Sequence, residues 1–448
     1  MFVEFRGRQI EVAFWNGGPV PAESLVGMDT ETLPIEPGKP LVPATLQAYF
    51  PEAGLVLLAQ GDAQMRQLFN AVALSAGTPS MCFHNFAFDW EVLGGLENKV
   101  LLERTESGKI FDTGLRYLLK KMADGTWMEG KGKEQPWNLE HITRELLGVK
   151  LDKNPDIRLS FRPDIQLSDE QIQYAALDPI ACAECAKLMP APYPTELIQI
   201  LGAIVLSSIG RRGLLVDRQR FDELRKKFEK ESEKYDEVLY AFGYHRKTKN
   251  VNAVLQALLA NIEQRTGIIF PRTEKTKKIC IKKEILQLFP EKSHPFLVAL
   301  KKSDHVQKML STFLNAELIG SDGRVHPTFE PLKVTGRVSC RRPNIQNPPR
   351  GDGIRGQYIA PYGKVLYIPD YSQLELCTLA QDCLVRQGKS KLADLINAGV
   401  DVHSWMGENI KRQAKAELVG NKDVRSLAKV PDFGFCKLPN RIYLLFCV

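Results

Sequence analysis

Leu25-Val26-Gly27-Met28-Asp29-Thr30-Glu31 is the stretch on which the fold turns. Its apolar opening reads as a buried strand, and that strand ends in two carboxylates. Side chains alternate along an extended chain, so Asp29 and Glu31 point to the same side. Two acids held side by side repel each other, and a fold tolerates that best with a cation between them. Taken alone, Asp-x-Glu fits a plain polar strand end equally well. Two later stretches shift the odds. Asn85 and Asp89 stand four apart, and so do Tyr174 and Asp178. On helices, each pair shares a face. Three separate segments then offer four carboxylates and one phenol to a single point.

The surrounding chain reads as scaffold for that point. Residues 2–14 look like a hairpin turning near Gly7. Thr45–Phe50, Leu55–Ala59 and Met81–Phe83 are apolar runs of strand length. Ala63–Ala76 and Asn138–Leu147 have helical spacing, the second stopped by Gly148. Asn85 is read as the start of a helix reaching Leu96. Asp112 is placed to cap the helix Leu115–Met122. Ser168 with Gln171 forms a capping-box pattern ahead of the helix bearing Tyr174 and Asp178. Pro179 inside that helix removes one backbone hydrogen bond and is expected to kink it. Strands mixed with helices make residues 1–190 an α/β domain.

A chain of 448 residues exceeds one ordinary domain. With 44% hydrophobic and 25% charged residues its composition is that of a globular protein. The net charge of +7 suits a polyanion partner without proving one. No apolar run is long enough for a signal core or a membrane span, so the expected place is the cytoplasm, with no membrane partner. Nine scattered cysteines include one close pair, Cys182 and Cys185, and no second pair to complete a zinc site. They read as reduced thiols.

Pro190-Ala191-Pro192-Tyr193-Pro194 is the clearest boundary. Beyond it the chain turns helical. Glu196–Ile209 is one helix, Gly210-Arg211-Arg212-Gly213 a turn, and Leu214–Val216 a short extended piece. Arg218–Phe242 carries an apolar seam that suits a partner helix. Asn252–Ile262 is a further helix, and the lysine-dense 272–283 a solvated loop by default, with phosphate contact the minority reading. Gly323–Gly356 differs in kind. It interleaves Arg, Asn and Gln with proline, the side chains that reach phosphates and groove edges, although a surface loop has the same composition. Lys364–Pro369 then reads as a strand ending at Asp370. A helix follows to about Cys383, and another starts near Val402. Arg425, Lys429 and Phe433 fall at steps of four on one helix face, two cations and a ring that suit a triphosphate and a stacked base, although without context an amphipathic helix with a solvated basic edge is the favoured reading.

With these motifs in this order, the sequence closely resembles family A, the polymerase-I-like DNA polymerases with a proofreading 3′–5′ exonuclease domain. Asp29-x-Glu31, Asn85-x-x-x-Asp89 and Tyr174-x-x-x-Asp178 match the three exonuclease motifs of the tyrosine-bearing subclass. Thr335-Gly336-Arg337 and Pro343-Asn344-Ile345-Gln346-Asn347 match the segment that tracks duplex DNA. Asp370–Leu376 matches polymerase motif A, and Arg425-x-x-x-Lys429-x-x-x-Phe433 matches motif B. Cys377 stands where motif A usually has Arg, and Lys437 where motif B often has Tyr.

The resemblance implies a ribonuclease-H-like α/β exonuclease domain over residues 1–190. A helical thumb would follow over 195–330, a partial palm over 331–400 and the start of the fingers over 401–448. It implies two Mg²⁺ or Mn²⁺ ions per active site, held in the exonuclease by Asp29, Glu31, Asp89 and Asp178, with Tyr174 orienting the attacking water. In the palm, Asp370 would hold metal and Glu375 would sit against the nucleotide sugar. Arg425, Lys429 and Phe433 would take the triphosphate and base. Asn85, Lys308, Arg337, Asn344, Gln346 and Asn347 would contact DNA. The partners implied are primer–template, single-stranded 3′ ends and deoxynucleoside triphosphates, met by a monomer. The family's His-Asp-Glu-type motif C is not found before Val448, and the tail after Phe435 leaves the family pattern. The expectation is a truncation, by frameshift or intron read-through, that digests DNA without extending a primer. It would also leave Val365–Ile368 as an exposed apolar edge, with poor solubility beyond residue 330. A stand-alone ribonuclease-D-like exonuclease and a non-catalytic DNA-binding fragment are the competing readings.

Overall fold

In the computed structural model, the stretch bearing Asp29 is a strand inside a seven-stranded sheet. The structure describes residues 1–126, 137–151, 154–189, 192–274, 276–281, 286, 289, 294–333 and 336–413. A hairpin of β1 (Phe2–Phe5) and β2 (Arg8–Phe14) opens the chain. It turns through Arg6 and Gly7, both at positive φ, as a tight two-residue loop requires. β3 (Leu25–Thr32), β4 (Pro43–Phe50) and β5 (Leu55–Gln60) form an antiparallel meander. After α1 (Asp62–Ala73) come β6 (Ser80–Phe83), α2 (Phe86–Val92), α3 (Lys99–Glu106) and β7 (Ile110–Asp112). β6 lies parallel to β3, and β7 parallel to β6. The strand order is β1-β2-β5-β4-β3-β6-β7. Helices α4 (Thr113–Ala123), α5 (Leu139–Leu147), α6 (Pro155–Arg158) and α7 (Asp169–Lys187) follow. This is the expected ribonuclease-H-like α/β arrangement, with β3 and β4 almost wholly buried.

The helix boundaries follow their capping chemistry. Ser168 and Gln171 form a capping box at the start of α7, with both reciprocal hydrogen bonds present. Asn138 caps α5, and Gly148 closes it in the left-handed conformation. α7 runs through Pro179 as one nineteen-residue helix. The segment read as a helix from Asn85 to Leu96 is shorter. It ends at Val92, where Gly94 and Gly95 take positive φ, and a 3₁₀ turn follows.

Next comes α8 (Glu196–Arg212), which packs on the same core through Ile200, Ala203 and Ile204. The turn expected at 210–213 is a correction, because the helix runs on to Arg212. Gly210 serves close approach instead, since a Cβ there would lie 2.4 Å from the Pro327 carbonyl oxygen. Arg116 of α4 and Glu196 of α8 form a buried ion pair, 8% and 3% exposed, which joins this helix to the sheet domain. β8 (Leu214–Leu215), α9 (Arg218–Ala241), α10 (Val251–Thr266) and α11 (Pro295–Thr312) carry two further cores. The apolar seam of α9 meets α11, as its spacing predicts. β9 (Arg324–Val325) pairs with β8, and β10 (Thr328–Glu330) pairs with β11 (Ser339–Arg341).

The first compact unit ends at Lys364 and a second begins at Val365. The second holds α12 (Leu374–Gln387), α13 (Lys391–Asn397) and α14 (Val402–Gln413), packed around Leu376, Ala380, Leu392 and Val402. The strand expected at 364–369 is absent. Val365, Tyr367 and Ile368 are 87%, 86% and 83% exposed, and no described strand pairs with them. A run of apolar residues becomes a strand only when a ladder partner takes its backbone groups. Among the described residues, no helix is long and apolar enough to cross a membrane.

Candidate functional site

A cleft of about 860 Å³ opens at the C-terminal end of β3. Asp29, Glu31, Asn85, Asp89, Tyr174 and Asp178 all line it, so the three segments singled out by spacing meet. The sheet opens the cleft by its own register. β6 pairs with β3 only from Leu25 to Gly27, while β4 pairs along to Thr32. The strand beyond Gly27 therefore has a ladder on one side, and its other edge faces the cleft. In the ladder with β4, Asp29 stands opposite Gln47 and Glu31 opposite Thr45. Gln47 Nε2 donates to Thr45 Oγ1 at 2.6 Å beneath the acids.

Gly27 brings the third segment in. A Cβ on it would sit 2.1 Å from the Pro179 carbonyl oxygen and 2.9 Å from Ala183 Cβ. Only glycine lets α7 lie this close to β3, and that approach carries Tyr174 and Asp178 to the strand bearing Asp29 and Glu31. Tyr49 Oη donates to Glu184 one turn further along α7, at 3.3 Å.

Asp112 sets the second segment. Its Oδ1 accepts from the amides of Gly114 and Leu115, and its Oδ2 from the amide of Phe86 at 2.8 Å. One carboxylate thus fixes the starts of both α2 and α4, and Asp89 rides on α2. Asn85 is not in the helix, as its spacing to Asp89 had implied. It precedes α2 in the left-handed conformation, at φ 65° and ψ 49°, and its side chain is exposed at the cleft. Asp89 is 2% exposed, and Thr30 Oγ1 donates to its Oδ1 at 2.7 Å. Burial raises the Asp89 carboxyl well above the usual carboxylate range; the Asp112 charge adds to this, and the Thr30 hydrogen bond works against it. Tyr174 is buried, with its ring 6.1 Å from that of Phe161.

The donor set is entirely oxygen, which suits hard divalent cations. Among the described residues, however, no three acidic, histidine or cysteine side chains stand arranged to hold one ion. The donor chemistry decides the fit. The four acids nevertheless line one cleft, with Asp89 Oδ1 accepting from the Thr30 hydroxyl. Sequence spacing missed Gly27, Thr30, His84 and Arg158. Among the described residues, Arg158 supplies the one guanidinium in the cleft lining. The Asn154-Pro155 start signal of α6 could have pointed to its neighbourhood.

The remaining predicted residues lie elsewhere. Lys308 is exposed on α11. Arg337, Gln346 and Asn347 are exposed on the chain around the β10–β11 hairpin, and Asn344 is half-buried with its Oδ1 accepting from the Gln346 amide at 3.1 Å. Asp370 is exposed, and Glu375 is half-buried in the first turn of α12. Thr335, Arg425, Lys429 and Phe433 fall outside the described residues.

Comparison with known proteins yields two family matches. Residues 20–189 match the family described as 3′-5′ exonuclease, and residues 218–436 match DNA polymerase family A. DNA polymerase I of Mycobacterium bovis is 26% identical over 313 residues, which is 66% of this chain and 33% of that protein. DNA polymerase I of Aquifex aeolicus is 25% identical over 323 residues, 66% of this chain and 53% of that one. The thermostable DNA polymerase I of Thermus aquaticus is 33% identical over 175 residues, 36% and 20% of the two chains. The chain thus spans about a third of the mycobacterial relative's length. The solved polymerase domain of Pol1 from M. smegmatis, in complex with DNA primer-template and dNTP, superposes with a TM-score of 0.60 at 21% identity. It covers 92% of this chain and 67% of that one, a likeness of fold.

Proposed function

We propose that this chain is a family A DNA polymerase with a 3′–5′ exonuclease domain, as its two family matches support, and that its labour divides as follows. Residues 1–190 remove nucleotides one at a time from DNA 3′ ends. Residues 195–330 act as the thumb, 331–400 as the palm and 401–448 as the start of the fingers of the synthetic half. The observation that carries the first part is the meeting of Asp29, Glu31, Asp89, Asp178 and Tyr174 in one cleft.

In this reading, Asp29, Glu31, Asp89 and Asp178 hold two divalent ions, Mg²⁺ or Mn²⁺. Once bound, they supply the positive charge that clustered carboxylates and a phosphodiester require, and they acidify water. The residues of the chain do the rest. Water attacks the terminal phosphorus, the bond to the neighbouring 3′ oxygen breaks, and a nucleoside 5′-monophosphate leaves. The Tyr174 hydroxyl holds the attacking water in line. Asn85, exposed at the rim, contacts the terminal nucleotide. Thr30 keeps Asp89 in place through its hydrogen bond.

The family match over 218–436 favours nucleotide addition as the second activity. For it we assign metal to Asp370 and the sugar contact to Glu375. Triphosphate and base contacts go to Arg425, Lys429 and Phe433, and primer–template contacts to Lys308, Arg337, Asn344, Gln346 and Asn347. The M. smegmatis neighbour was solved with primer-template and dNTP, which supports these partners.

The test is digestion of 3′-labelled single-stranded DNA and of RNA by the purified chain, with Mg²⁺ and with a chelator. The expected result is metal-dependent release of deoxynucleoside 5′-monophosphates, faster from DNA. A preference for RNA would favour a ribonuclease-D-like activity, and no release would reduce the chain to a DNA-binding role.

A further inference from the structure

The guanidinium in the lining of the acid cleft, that of Arg158, comes from the short helix α6. The segment that carries it is pinned to α7. Phe161, three residues on, is fully buried, with its ring 6.1 Å from that of Tyr174. Gln171, in the first turn of α7, reaches back, its Nε2 donating to Ser160 Oγ at 2.8 Å. Gln60 at the end of β5 donates from Nε2 to the carbonyl oxygens of Arg162, at 3.1 Å, and Ile165, at 2.6 Å. Asn154 caps α6, its Oδ1 accepting from the Asp156 amide at 3.0 Å. Arg158 therefore rides on a fixed base next to Tyr174, while its own side chain is exposed.

The charges around it leave this arginine for a ligand. Among the described residues, Arg158 makes no ion pair and no side-chain hydrogen bond. Glu140, a fifth acid in the lining, has Arg144 one turn on at 3.9 Å. His84, the other basic side chain there, is tied at Nδ1 to Thr113 Oγ1 at 3.1 Å. Asp29, Glu31, Asp89 and Asp178, once ionised, carry four negative charges, and two divalent ions balance them. Nothing is then left over for the phosphodiester, which enters with one negative charge and gains a second as hydroxide adds. A guanidinium stays charged at any working pH and offers two parallel N–H donors to phosphate oxygens.

We propose that Arg158 is a catalytic residue of the acid cleft, donating to a non-bridging oxygen of the scissile phosphate and taking up the charge that grows there in the transition state. The proposal rests on the exonuclease reading and adds a residue to its chemistry. The attacking water gives up a proton as its oxygen bonds to phosphorus. The bond from phosphorus to the neighbouring 3′ oxygen breaks, its electron pair goes to that oxygen, and a proton from solvent restores the hydroxyl. Charge on the non-bridging oxygens is greatest between these events, when the entering and leaving oxygens are both partly bonded. A donor aimed at that point works on kcat more than on binding.

The full chain is assayed on a 3′-labelled oligodeoxythymidylate with Mg²⁺. Arg158→Ala should lower kcat by about 10²-fold, with KM within about threefold of the parent. Affinity for the same oligonucleotide, read by fluorescence anisotropy in chelator, should also stay within about threefold, because other cations carry ground-state binding. Arg158→Lys keeps the charge and loses the fork, so its rate should fall between those of the parent and Arg158→Ala. Guanidinium chloride at millimolar concentration should restore part of the Arg158→Ala rate, against an equal concentration of sodium chloride, and leave Asp178→Ala inactive. A parental kcat in Arg158→Ala overturns the role. A loss confined to KM and affinity also overturns it, since Arg158 would then be a binding contact alone. A loss in kcat that neither lysine nor added guanidinium eases overturns it as well, because the arginine would then serve the fold. No release of nucleotide by the parent chain would overturn the exonuclease reading beneath it, and this role with it.

Discussion

Two stretches of this chain have the same pattern, an apolar run that ends in an aspartate. Val26–Asp29 lies within a strand, laddered to β6 up to Gly27 and to β4 from Gly27 onward. Val365–Asp370 is extended, exposed and unpaired among the described residues. The difference lies in the neighbours and not in the runs themselves. β4 and β6 follow β3 within about sixty residues and close on it, so the Asp29 carboxylate is fixed by a buried backbone. Asp370 has no such frame in the described structure, and its position is held only by the start of α12 four residues on. A strand is a statement about pairing, and a single run cannot make it.

The largest expected effect tests this contrast directly. In amide hydrogen exchange, the amides of β3 that point into the ladders with β4 and β6 should rank among the slowest, because opening them breaks the central ladder. Residues 365–368 should exchange at least about 10⁴-fold faster. Equal protection in the two stretches would mean that the second run has found a ladder partner.

A substitution sharpens it next. Asp178→Ala should bring DNA digestion down to background, at least about 10³-fold, since it removes a carboxylate from the cleft. DNA binding should survive, because the backbone-contacting cations lie elsewhere. Digestion at the parental rate would show that the cleft is not the site of cleavage.

Gly27→Ala comes third. The added methyl meets the Pro179 carbonyl oxygen, a backbone atom that cannot swing aside. Forcing α7 off the sheet should cost about 1–3 kcal/mol in denaturant unfolding. It should also slow digestion, as Tyr174 and Asp178 move away from Asp29. Parental stability would mean that α7 rests on β3 less closely than the geometry shows. A stability loss with digestion intact would uncouple the helix position from the chemistry.

Much of the acid cleft could be read from sequence because its determinants are local or periodic. Alternation put Asp29 and Glu31 on one side of a strand, i,i+4 spacing paired Tyr174 with Asp178, and Ser168 with Gln171 marked where their helix starts. The Asp112 cap was visible for the same reason. Its further hydrogen bond, from the amide of Phe86 to the other carboxylate oxygen, was not, because it joins residues 26 apart. Gly27 and Gly210 were illegible for a related reason. Each is a small residue whose meaning is set by a distant carbonyl, Pro179 in one case and Pro327 in the other. α3, β7 and α13 were missed because short elements carry too few turns or alternations to show a period. Asn85 was misassigned to a helix because spacing alone cannot report a left-handed residue at a helix start.

The smallest effect concerns Tyr174. Its ring is buried, beside Phe161, and Phe keeps that packing entirely. Tyr174→Phe should therefore keep the fold, and the unfolding midpoint checks this before the rate is read. The change removes one hydroxyl from the cleft and no charge, so the four carboxylates stay as they were. In the proposed reading, what goes is a hydrogen bond that aligns water, a contribution smaller than that of a full acid or base. The expected outcome is a drop of about tenfold in kcat for single-stranded DNA with KM held. A variant as inactive as Asp178→Ala would give the phenol a larger share in the chemistry than alignment. A parental rate would remove Tyr174 from the mechanism, and the cleft would then rest on its carboxylates alone.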